Sequence, residues 1–222
     1  MTLFTNPDVL ALIASVSLLM GYYAYLFWRT RRTPETSIHR VNQTARAQWI
    51  DHVMSTPGKD LLAVQTLRNL AMAATFKGSS AALLILGTLT LSGQADNLGH
   101  AWHAVNAVDI GSAAAPAWWT IKVVSLLGTL IVAFFAFATT IRLLNHVMFM
   151  VNLPIEVATG TLSPTSVARR LNRAGWFYSI GMRALFGAVP LAFWLFGAVF
   201  FVGATALLVG VLYLIDRNSV EI

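Results

Sequence analysis

KVVSLLGTLIVAFFAFATTIR, Lys122 to Arg142, decides the fold class of this chain, because nineteen uncharged residues stand between its two cations. A helix needs ~17–25 such residues to cross hydrocarbon. The same pattern recurs on either side: no residue between Asp8 and Arg29, between Lys77 and Asp96, or between Arg183 and Asp216 carries a formal charge. The chain is therefore predicted to be an all-α membrane protein of four transmembrane helices, with spans at about 8–28, 70–91, 118–141 and 186–215. Residues 1–222 form a single integral membrane domain on this reading.

Composition agrees, with 57% hydrophobic and 11% charged residues and a mean hydropathy of +0.67. A soluble domain carries roughly 25% charged residues. The absence of cysteine excludes disulfides, thiolate metal sites, iron–sulfur clusters and cysteine nucleophiles. The first 28 residues do not read as a cleavable signal peptide: Asp8 is the only charge before Arg29, and the apolar run ends in Tyr22, Tyr23, Tyr25 and Trp28 rather than in small residues.

Orientation follows from where the cations fall. Twelve of the fifteen Lys and Arg lie in residues 29–68 and 142–183, whereas the outer connection, residues 92–116, has none. The positive-inside rule then makes 29–69 and 142–183 cytoplasmic and places both termini outside the cytoplasm. The basic balance is a topology signal before it is anything else, and contact of these segments with anionic lipid is its expected electrostatic role. Nucleic acid is not an expected partner, since no basic soluble face or recognised nucleic-acid fold is present.

Amphipathic cytoplasmic helices are expected beside the spans. Thr36 to Met54 places Ile38, Val41, Ala45, Trp49 and Val53 roughly on one side, with Arg40 and Arg46 on the polar face. Ser55 to Gly58 reads as a turn, and Asp60 caps a helix running to about Leu91, ~48 Å long at 1.5 Å per residue and so longer than the membrane is thick. Ser163 and Pro164 suit the cap and first position of the helix that enters span four, and Pro190 is expected to kink it. Small residues four apart, at Ser17 and Gly21, Gly78 and Ala82, and Ala206 and Gly210, would permit close helix contact.

Candidate binding residues gather at the cytoplasmic ends of three spans. Gln65, Arg68 and Asn69 share a face of helix two, Arg142, Asn145 and His146 a face of helix three, and Asn172, Trp176, Ser179 and Arg183 a face entering helix four. If these faces converge they form a pocket suited to phosphate or carboxylate, since guanidinium offers a bidentate fork and amides adjust to the remaining lone pairs. The first expectation is nonetheless structural, that they snorkel to the interface and bond helix ends and loops, with a bound lipid headgroup or other anion second and direct chemistry third. Lys77 could snorkel inward, and Lys122 could reach outward to Asp96 or Asp109; no carboxylate partner within the spans is expected for either. The carboxylate relay of proton-driven pumps is missing, and no paired interrupted helices mark a transporter site. His100 and His103 have a spacing compatible with a surface metal site, although an interfacial helix around Trp102 is the reading expected, and a haem would need His146 paired with His52 at the rim. No catalytic residue and no cofactor are predicted.

VQTLRNLAMAATF, Val64 to Phe76, preceded by the region of Trp49, Asp51, His52 and Met54 and followed by GMRALFGAVPLAFWLFG, Gly181 to Gly197, resembles the integral membrane proteins of bacteria and plants grouped as domain of unknown function 599. Gln65, Arg68 and Asn69 match the family's Q-T-L-R-N core, and Gly181, Arg183, Pro190 and Trp194 its final-helix pattern; Lys77 departs from the small or apolar residue expected there. The resemblance covers most of the chain and implies a four-span membrane fold, with no activity attached. The expectation for function is a non-catalytic accessory subunit or lipid-contacting scaffold in a bacterial inner membrane, with lipids and other membrane subunits as partners. A transporter or binder of a lipid or small anion is the alternative, and a haem or metal redox subunit comes third.

Overall fold

The computed structural model describes residues 6–32, 38–93, 116–154 and 156–218, and among these residues there is no strand. Among the described residues six α-helices follow one another: α1 Pro7–Arg32, α2 Ile38–Ser55, α3 Asp60–Gly93, α4 Pro116–Val151, α5 Pro164–Trp194 and α6 Ala198–Asn218. A single 3-10 turn, Gly160–Leu162, precedes α5. Four helices are long and apolar enough to cross a membrane, over Pro7–Arg29, Asp60–Ser92, Trp118–Val151 and Pro164–Trp194. Several threonines within the apolar helices satisfy their hydroxyls locally, whereas the buried Ser15 hydroxyl of α1 has no partner among the described residues. Thr75, Thr88, Thr129, Thr140 and Thr205 each donate to the carbonyl four residues back, which satisfies the hydroxyl within its own helix.

Local signals explain most boundaries. Gly58, at φ +81°, takes the left-handed conformation that the turn between α2 and α3 requires. Pro164 opens α5, and the carbonyl of Ser163 accepts the N–H groups of Ser166 and Val167. The interval 186–215 behaves differently from its expectation as one span. Pro190 stays inside α5, and the break comes later, at residues 195–197. There the N–H groups of Leu195, Phe196 and Gly197 bond to carbonyls three residues back, tightening the helix end, and Gly197 adopts φ +141°. A side chain at that φ would be strained, so glycine permits the turn and Ala198 starts a new helix.

The chain divides into two compact units. The first comprises α1, α3 from Leu83, α4 up to Ile131, α5 from Ala184, and α6. Its packing centres on Ala11, Trp194, Ala198 and Phe201, bordered by Trp118 and Leu191. The Trp194 and Phe201 rings stack at 4.7 Å. A second cluster joins Leu126 and Leu130 to Ala188. Within this unit α6 runs parallel to α1: the start of α6 packs beside Ala11, and near the other end the ring of Tyr213 lies 6.0 Å from that of Tyr25. The direction of α6 thus puts Tyr213 at the end of α1 remote from Asp8.

The second unit comprises α2, α3 up to Ala82, α4 from Val132 and α5 up to Arg183. Ile50, Val53 and Met54 of α2 pack with Ala63, Leu67 and Ala71 of α3, Leu144, Val147 and Val151 of α4, and Val167, Leu171 and Ala174 of α5. The stripe that α2 buries differs from the one expected, since Val41 is exposed and Ile50 and Met54 are inside; the faces offered by three neighbouring helices select it. Phe137 is fully buried against Gly181, where an added Cβ would lie 2.9 Å from its ring. Small residues there let the backbones approach, and in lipid that close packing is what drives helix association.

Candidate functional site

In the first unit, Asp8 lies in the first turn of α1, and its backbone N–H donates to the Asn6 side chain at 3.0 Å. A helix N-terminus favours a carboxylate. The Lys122 ammonium, one turn into α4, meets an Asp8 oxygen at 2.8 Å. The indole N–H of Trp194, the last residue of α5, donates to the same oxygen at 2.9 Å, and the ammonium stands 5.7 Å from the Trp194 ring centroid. Lys122 is 6% exposed and Asp8 3%. The expectation that Lys122 has no carboxylate partner within the spans is thereby corrected. In the sequence Asp8 borders the first apolar interval, and only the packing of α1 on α4 turns that border into a buried counter-ion. The alternatives Asp96 and Asp109 lie outside the described residues. With its charge neutralised and its acceptor doubly bonded, this pair acts as a clamp on three helices.

In the second unit, Arg46 of α2 donates from Nε to Asn172 Oδ1 of α5 at 2.8 Å, and Asn172 Nδ2 donates back to the Gln43 carbonyl at 3.3 Å. Gly175 makes room for this arrangement: a Cβ there would lie 2.6 Å from a terminal nitrogen of the guanidinium. Burial pushes the Arg46 guanidinium below its ordinary pKa by desolvation. No carboxylate neutralises it among the described residues. Nearby in chemistry though not in sequence, Lys77 of α3 stands 5.2 Å from the Tyr178 ring centroid, and Tyr178 meets Phe137 edge-on at 5.8 Å. Lys77 is thus held by an aromatic face of α5.

The residues singled out from sequence lie elsewhere on these helices. Gln65, Arg68 and Asn69 on α3, Arg142, Asn145 and His146 on α4, and Arg183 on α5 are all exposed. The described hydrogen bonds and ion pairs do not join Gln65, Arg68, Asn69, Arg142, Asn145 or His146 to one another. Asn172, grouped with Arg183 in the sequence, instead turns to Arg46. Among the described residues, no group of three or more His, Asp or Glu could hold a metal ion. His100 and His103 lie outside the described residues, as does the connection 94–115 that contains them. Sequence reasoning placed Arg46 merely on the polar face of α2; its neighbour Asn172 is 126 residues away, and no local spacing signals such a pair.

A family of unknown function, DUF599, matches the chain over residues 10–221, and the chain belongs to that family. No curated protein and no solved structure matches it.

Proposed function

We propose that this DUF599 member is a non-catalytic integral membrane protein that serves as a lipid-contacting scaffold or accessory subunit, its basic unit facing anionic headgroups. The charge of the second unit carries this reading. Residues 35–82 and 132–183 hold ten Lys and Arg against four Asp and Glu, whereas the rest of the chain holds five of each. Arg40, Arg68, Arg142, Arg169, Arg173 and Arg183 are exposed. Near an anionic leaflet each such cation contributes about 1 kcal/mol of attraction, and the excess is on the side the positive-inside rule assigns to the cytoplasm. A bacterial inner membrane suits this balance.

The parallel run of α1 and α6 supports a topology with the N terminus outside and residues near Tyr213 at the cytoplasmic face, in place of both termini outside. Pro164–Trp194 then crosses outward and α6 returns over a shorter apolar run, Ala198–Leu214, about 26 Å at 1.5 Å per residue and so at the lower limit of what crosses hydrocarbon.

The test is to isolate the full chain in patches of its own membrane and measure the phospholipids and polypeptides that come with it. Anionic phospholipid enriched over the bulk membrane is expected, falling to the bulk proportion in an Arg68→Gln, Arg142→Gln, Arg183→Gln variant. Bulk proportions around the unaltered protein would sink the reading.

A further inference from the structure

Between α1 and α6 of the first unit runs an open groove of about 710 Å³. Its walls are small: Ala14, Ser17 and Gly21 on α1, Ala206 and Gly210 on α6. A Cβ added at Gly21 or at Gly210 would meet nothing within 4 Å, so glycine leaves open space there. Tyr22, Tyr25 and Tyr213 line one end of the groove. Beyond them the same face of α1 continues to Trp28, Arg29 and Arg32, with the Arg32 guanidinium 3.9 Å from the Trp28 ring centroid.

From these features we infer that the α1–α6 groove holds one acyl chain of an anionic phospholipid, with the tyrosines at the level of its glycerol and ester groups and Arg29 and Arg32 beside its phosphate. The inference rests on the lipid-contacting reading above and assigns it a specific site in the other, electroneutral unit. Length favours this occupant. From Ala14 to Tyr25 the groove extends about 16 Å at 1.5 Å per residue, half of the ~30 Å hydrocarbon thickness and therefore one leaflet. A transmembrane helix of a partner would need the full thickness. The order of surfaces also fits a phospholipid: an apolar trough, then tyrosines of the kind that populate membrane interfaces, then cations. Guanidinium meets phosphate with paired donors, which a zwitterionic headgroup satisfies less well because it brings its own cation.

Native mass spectrometry of the full chain, released from nanodiscs of one part phosphatidylglycerol to four parts phosphatidylcholine, tests the assignment. The unaltered protein should retain one phosphatidylglycerol. Gly21→Leu and Gly210→Leu, each extending into open space, should weaken that retention about tenfold with helicity unchanged. Arg29→Gln with Arg32→Gln should keep a bound lipid while losing the preference for phosphatidylglycerol. Equal retention in both leucine variants overturns the groove assignment, as does a homodimer that the leucine variants dissociate. The Arg68→Gln, Arg142→Gln, Arg183→Gln variant separates the two readings: it should retain the groove lipid, and its loss of enriched surrounding lipid belongs to the scaffold reading alone.

Discussion

Lys122 in the first unit and Arg46 in the second are both cations set into helix packing, and they are accommodated by opposite means. Lys122 meets a carboxylate at 2.8 Å, and the indole of Trp194 completes the acceptor's bonding. Among the described residues Arg46 meets an amide oxygen and no carboxylate, with Gly175 making way for its bulk. The contrast extends to the units as wholes, since one balances five cations with five carboxylates and the other carries ten against four. A charge deep in an apolar environment must be neutralised, because its desolvation costs several kcal/mol. A half-buried guanidinium at a helix surface still reaches water or headgroups through its terminal N–H groups, so an amide suffices to orient it.

Four variants would break or sharpen that comparison. Lys122→Met leaves the Asp8 carboxylate buried with only the indole N–H, and stability in detergent should fall by about 3–5 kcal/mol, the usual cost of orphaning one member of a buried pair. The double variant Asp8→Asn, Lys122→Met should recover most of that loss, because both charges are gone. If thermal unfolding shows the double variant as weak as the single one, the pair is more than a neutralised clamp. Asn172→Leu comes next: the Arg46 guanidinium loses the acceptor that holds it, and a loss of about 1–3 kcal/mol is expected. Arg46→Met is the smallest. It removes a hydrogen bond and a desolvation cost together, so the unfolding midpoint should correspond to a change of about 1 kcal/mol or less. A loss as large as that of Lys122→Met would erase the distinction between the two cations.

Much of the fold was legible from the chain alone. The extent of α3, Asp60–Gly93, lies close to the expected run to Leu91, although Asp60 is the first helical residue and the Lys59 carbonyl, not the Asp60 side chain, takes the Ala63 N–H; Pro164 at the first position of α5 was readable from residue type. The fourth interval was not. Pro190 is the strongest helix breaker in it, yet the break fell at Gly197, because a proline's lost bond is tolerated where neighbouring helices pack and a turn needs a residue that accepts φ +141°. The candidate site was less legible still. The exposed residues of α3 and α4 were selected by their polarity, whereas the polar contacts that close are Asp8 with Lys122 and Arg46 with Asn172, each more than a hundred residues apart in the chain.

By itself the sequence determined that this is a helical membrane protein, that the regions of its first three intervals are apolar enough to cross, and that its cations cluster; transfer of a segment into hydrocarbon is close to a sum over its residues, so composition along the chain suffices for those. Only the tertiary structure decided that residues 195–197 turn the chain back, that α6 lies parallel to α1 with a groove between them, and that Asp8 serves Lys122. Those outcomes depend on which faces meet, and a contact free energy belongs to a pair of residues and to neither one alone.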